Sequence, residues 1–170
     1  MQAIGAAAAL GALAGGRTFA VPALLSRRLE QLGDRSVAGP VTDALAAPRM
    51  ASALTVLAAA ELVADKLPMM GARTEPLAIL GRALAGALAG AAAAEMLGRR
   101  PVLPALVGAA TAYAGAHLAY RLRRRIRRKA DVPDLVVAIA EDAIVLGLGG
   151  EITGNLLDGM ADLLAEEWYG

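Results

Sequence analysis

The sequence predicts an all-α fold: a polytopic membrane helix bundle of about five transmembrane helices, followed by an amphipathic C-terminal tail. Three observations lead there. Hydrophobic residues make up 57% of the 170-residue chain and mean hydropathy is +0.52, above what soluble domains usually carry. Aromatic residues are only 3%, so a water-soluble core would lack the large side chains that normally fill it. The apolar mass is Ala, Leu, Val and Gly, gathered into blocks of roughly 17–23 residues, enough helix to cover a hydrocarbon core of ~30 Å. The chain has no cysteine, which excludes disulfides, thiol chemistry and Cys-based metal sites.

The first block covers residues 3–25, interrupted only by Arg17 and Thr18. No basic residue precedes it, as a cleaved secretory signal would require, so it reads as a retained span, either one helix or one broken near Gly15-Gly16. A polar connection follows, with turn signals at Gly33 and Gly39-Pro40. The second block is 50–67, closed by Pro68; Pro76 opens the third, 76–97. Arg99-Arg100-Pro101 separates it from the fourth, 102–120. After the basic run 121–129 comes the fifth, 132–150. The blocks are apolar nearly all round, unlike the one-sided stripe of a soluble surface helix. Gly11 and Gly15, Gly86 and Gly90, and Gly108 with Ala112 and Ala116 fall at helix-packing spacing, where small residues let backbones approach closely in lipid. In the tail, 151–170, Leu156, Leu157, Met160, Leu163, Leu164 and Trp168 recur at helical spacing opposite Asp158, Asp162, Glu166 and Glu167. That pattern suits a helix at the membrane interface.

Orientation follows from seven Lys/Arg between Arg121 and Lys129, which should stay cytoplasmic in a cell membrane. Five spans then put the N-terminus on the same side and the acidic tail outside. Directly after a span, the run at 121–129 suits anionic lipid rather than nucleic acid.

The informative residues are charges inside the blocks. Arg17 lies about 20 Å into the first block and Glu61 about 16 Å into the second. Asp65 follows Glu61 by one turn, with Lys66 beside it; Glu141 and Asp142 sit near the middle of the fifth block, and Arg82 is early in the third. Each costs about 2.5–3.5 kcal/mol at a helix centre facing lipid, so they must face the bundle interior, a partner subunit or water. Glu61, Asp65, Glu141 and Asp142 are candidate ion- or proton-binding carboxylates, with Arg17, Lys66 and Arg82 as counter-charges. Glu95, one turn before Arg99, reads as half of an interfacial ion pair. His117 is the one histidine; it reads as a packing residue or a proton relay, and a histidine-based metal site is not expected.

Two local patterns repeat. Ala12-Leu-Ala-Gly-Gly-Arg17 is similar to Ala112-Tyr-Ala-Gly-Ala-His117, and Ala58-Ala-Ala-Glu61 to Ala138-Ile-Ala-Glu141. In five spans these pairs run oppositely, which would make an inverted two-helix repeat with its site at the midplane.

Three segments carry a family resemblance: Gly15-Gly-Arg-Thr-Phe-Ala-Val-Pro22; Glu61-Leu-Val-Ala-Asp-Lys-Leu-Pro68 followed by Gly81-Arg-Ala-Leu-Ala-Gly86; and Glu141-Asp-Ala-Ile-Val-Leu-Gly147. Through them the chain resembles the DUF4126 family of bacterial integral membrane proteins of unassigned function. Ala83 stands where the family pattern has proline. The resemblance implies a membrane protein and singles out Arg17, Glu61, Asp65, Lys66, Arg82, Glu141 and Asp142, but implies no activity. The Glu61–Lys66 segment is also similar to the Glu-x-Gly-Asp-Lys motifs of a cation/proton exchanger family, with spacing one residue longer.

The expectation is therefore a small cation- or proton-coupled transporter or channel, homo-oligomeric because five short helices make a thin wall. The competing expectation is a membrane scaffold or assembly protein whose buried charges are structural ion pairs. No Ser/His/Asp arrangement, metal-ligand cluster or phosphate loop in its proper context points to an enzyme, and no cofactor is implied.

Overall fold

Proline opens most of the helices. The structure is a computed structural model and describes residues 2–32, 39–64, 76–129 and 133–169. Among the described residues there are seven helices and no strand: α1 (Ala3–Gly16), α2 (Ala20–Gln31), α3 (Pro40–Ala46), α4 (Pro48–Ala64), α5 (Pro76–Met96), α6 (Val102–Lys129) and α7 (Asp134–Tyr169). Pro40, Pro48 and Pro76 begin α3, α4 and α5, and Pro101 and Pro133 stand immediately before α6 and α7. A first-turn residue needs no N–H for the helix, and the ring presets its φ. The end of α5 is closed by Gly98 at φ 62°. There Gly98 N–H donates to the Glu95 carbonyl at 2.9 Å and Arg99 N–H to the Ala94 carbonyl at 2.8 Å, the two bonds of a Schellman cap.

The first apolar block is not one helix. Were α1 to continue, the ring of Pro22 would strike the Thr18 carbonyl one turn earlier. The last bond of α1 runs from Arg17 N–H to the Leu13 carbonyl (3.1 Å), and α2 starts afresh with Ala23 N–H donating to the Phe19 carbonyl (2.9 Å). Arg17 between them is extended, at φ −138° and ψ 111°. The two helices fold back as the arms of a V. On α7, Asp142 meets Arg17 at the tip, while a β-carbon on Gly149 would meet both Leu13 and Leu24. One leucine precedes the break and the other follows it, so both arms recede from the tip along the same stretch of α7. Of the two forms open for residues 3–25, one helix or a break near Gly15-Gly16, the structure has the break.

Small residues build the centre. Gly11 packs on Gly108 and Thr111, and Gly15 on Ala112 and Ala116; Gly86 meets Gly108 and Ala112, and Gly90 meets Pro104 and Ala7. A β-carbon at any of these would collide with backbone. The register gives the directions: α1 and α6 ascend together in direct contact, and α5 descends against both. An inverted repeat needs the segments around 12–17 and 112–117 to run oppositely. They run the same way, side by side, with Gly15 against Ala112 and Gly115 against Ala12. The repeated pattern is a helix–helix contact.

Around this trio, α2 lies antiparallel to α4, with Arg27 Nε donating to Thr55 Oγ1 at 2.8 Å. Helices α3 and α4 meet at a 73° bend. Helix α7 runs unbroken through residue 150, and beyond that point Thr153, Leu156 and Met160 are buried. Gln2 lines the same cleft as Arg99 and Arg100, whereas Lys129 ends α6 about 42 Å of helix away. The N-terminus and the basic run therefore sit at opposite ends of the bundle, which corrects their expected placement on one side. Among the described residues, two helices are long and apolar enough to cross a membrane: α5 and the Val102–Ile126 stretch of α6. The bent α3–α4 pair makes a third if it is one span.

Candidate functional site

A helix that begins inside a protein leaves amides that need acceptors. The N-cap of α2 is Phe19, whose side chain offers none. Glu61 on α4 supplies them: Thr18 N–H donates to Oε1 at 2.7 Å and Phe19 N–H to Oε2 at 2.9 Å. The carboxylate thus meets both the orphan donors and the positive end of the helix dipole. One residue before, Arg17 is 1% exposed. Its Nε donates to Asp142 Oδ1 at 2.6 Å, and its Nη2 contacts the same oxygen. Burying such a pair costs several kcal/mol per ion in desolvation, and their attraction offsets it only in good geometry.

Glu141, about 100° round α7 from Asp142, pairs with Arg123, with 3.6 Å between Oε2 and Nη1. Arg123 belongs to the basic run, and its role at this layer was not legible in the sequence because an arginine-rich run reads first as an orientation signal. Arg82 is buried on α5; its neighbour Gly81 faces the Thr18 methyl at ordinary contact distance, which sets Arg82 at the level of the V tip. His117 stays on its own helix, with Nδ1 2.9 Å from the Tyr113 carbonyl and the two rings 4.4 Å apart. Asp65 and Lys66 lie outside the described residues. The structure thus gathers Arg17, Glu61 and Asp142, with Arg82 at the same level, and sets Glu141 beside them on the basic-run side.

A second clasp of the same design lies near the other end. Glu95 is 4% exposed on α5. It accepts Val41 N–H at 3.0 Å, Thr42 N–H at 2.8 Å and Thr42 Oγ1 at 3.0 Å, all at the start of α3. The expected pairing with Arg99 is replaced by this cap. Its sequence signal was a lone carboxylate directly after four alanines on an otherwise apolar stretch of α5.

A family model described as "Domain of unknown function (DUF4126)" matches residues 4–150. The chain belongs to the DUF4126 family. No curated protein and no solved structure matches it. The matched region of this DUF4126 protein contains the broken first block, both carboxylate clasps and the Arg17–Asp142 pair, and it ends inside α7.

Proposed function

We propose that this DUF4126 protein is a small membrane transporter or channel in which protons pass through the charged layer at the V tip. The observation that carries the reading is the break itself. Non-helical backbone at membrane depth persists only where protein or a water-filled cavity surrounds it, and discontinuous helices form the sites of many transporters. Here the break holds a buried arginine between carboxylates from two other helices. Glu61 gives both oxygens to backbone amides and Asp142 gives Oδ1 to Arg17, so the layer is a set of carboxylates held by protein donors rather than an open cation cage. In this reading α3–α4, α5, α6 and α7 cross the bilayer of the cell membrane and α1–α2 is re-entrant. The basic run is cytoplasmic, a second copy of the chain completes the wall, and the protein is not an enzyme.

The test is proton flux into proteoliposomes, read with an enclosed pH dye. Wild type should conduct, and Glu61→Gln and Asp142→Asn should each abolish flux while eluting as wild type does. Retained flux in both variants would sink the proposal. The scaffold reading has its own support, because Glu61 spends both oxygens on α2 amides, as a purely structural cap does. It predicts no flux from folded wild type, and substantial recovery of stability when Arg17 and Asp142 are made apolar together.

A further inference from the structure

At the end of the bundle away from the charged layer lies a cleft of about 680 Å³, within the size range of ligand pockets. Its floor is apolar: Ile4 from α1, Leu97 from the end of α5, Leu103 and Pro104 from α6, and Leu163 from α7, with Arg99 and Arg100 at the rim. We propose that this cleft binds an anionic phospholipid, its phosphate on Arg99 and Arg100 and an acyl chain along the floor. The inference shares with the proposed function only the membrane location and holds whether or not protons move.

Three observations on independent features converge. The Arg99-Arg100-Pro101 turn joins α5 and α6, the two helices long and apolar enough to cross a membrane, so it lies at a bilayer surface whichever way the chain is oriented. Phosphates are at that depth. Both arginines are exposed, and neither makes an ion pair among the described residues; their guanidinium forks match phosphate oxygens in pairs. Below them, Ile4, Leu103 and Leu163 are 49%, 57% and 42% exposed, an apolar surface beside a cationic rim. That order of charge above hydrocarbon is the order of a lipid. Asp158 and Asp162, exposed next to the lining residues Gly159 and Leu163, set the charge balance at the α7 wall and favour a headgroup held on the Arg99 side.

The measurement is native mass spectrometry of the full chain released from detergent, with phosphatidylglycerol or phosphatidylcholine added at equal concentration. Phosphatidylglycerol should bind roughly thirtyfold more tightly, the equivalent of about 1 kcal/mol from each arginine. Arg99→Gln with Arg100→Gln should remove that preference, while Arg28→Gln with Arg49→Gln, exposed arginines outside the cleft and the basic run, should keep it. Gly159→Leu, which fills the cleft against the flexible end of Leu97, should lose the lipid with both arginines intact. Soluble glycerol phosphate should not compete; competition would mean a free-phosphate site. Equal binding of the two lipids by wild type, or an unchanged preference in the Arg99/Arg100 variant, overturns the proposal. Both readouts stand even if Gly159→Leu fails to fold.

Discussion

At the scale of single residues the buried charges among the described residues are held by named partners: Arg17 by Asp142, Glu61 by the amides of Thr18 and Phe19, and Glu95 by the start of α3. Asp142 accepts from the buried Arg17 guanidinium, so Asp142→Asn removes a charge partner from a site that is 1% exposed. Removing one member of a buried pair costs about 3–5 kcal/mol, which denaturant titration in micelles should read as a lower midpoint. Replacing the pair together, Arg17→Met with Asp142→Leu, should recover most of that loss, because neither member is then buried without the other. Glu61→Gln acts more locally. One amide oxygen can still accept, but the NH2 group now opposes a backbone donor, at a cost of about 1–3 kcal/mol. Hydrogen exchange at Thr18 and Phe19 should accelerate by about tenfold for each 1.4 kcal/mol lost, with α6 unchanged. The presence of these charges was plain in the sequence. Their partners were not, because Glu61 reaches backbone amides, and amides become acceptor-seeking only once a helix has broken.

At the scale of elements the decisive residue is Pro22. Hydropathy runs on smoothly through residues 3–25, so counting apolar residues favours one span; the ring of Pro22 against the Thr18 carbonyl divides it. Pro22 was visible throughout, and together with Gly15-Gly16 it was the available signal for a break. The small-residue spacings, by contrast, were legible in advance because lipid offers no other close-packing chemistry. They separate into used and unused positions, and substitution should tell them apart. Gly108→Ala places a methyl on the Gly86 backbone, as Gly86→Ala would on Gly108, and either should lower the melting temperature or prevent folding. Gly147 has nothing within 4 Å of a new β-carbon. Gly147→Ala should therefore stabilise α7 by roughly 0.5–1 kcal/mol through helix propensity alone, read as a raised melting midpoint.

At the scale of the molecule the V changes the topology by one crossing. Five uninterrupted spans put the N-terminus and the basic run on the same face of the membrane. A first block that turns back at Arg17 puts them on opposite faces, since Gln2 shares its cleft with Arg99 and Arg100 while α6 carries the chain to the other end. Hydropathy alone does not distinguish these arrangements, because both bury the same residues in lipid; the difference lies in three residues of backbone. The chain has no cysteine, so single cysteines can report it without background. Gln2→Cys and Arg125→Cys, in intact cells and in inverted vesicles, should react with a membrane-impermeant maleimide from opposite sides. The Arg125 position should be modified from the cytoplasmic side, where a basic run is retained. Labelling of both from one side would mean that the first block crosses the bilayer. Arg17, Glu61 and Asp142 would then have to meet in some arrangement other than the V tip, and the re-entrant proton path would fall with it.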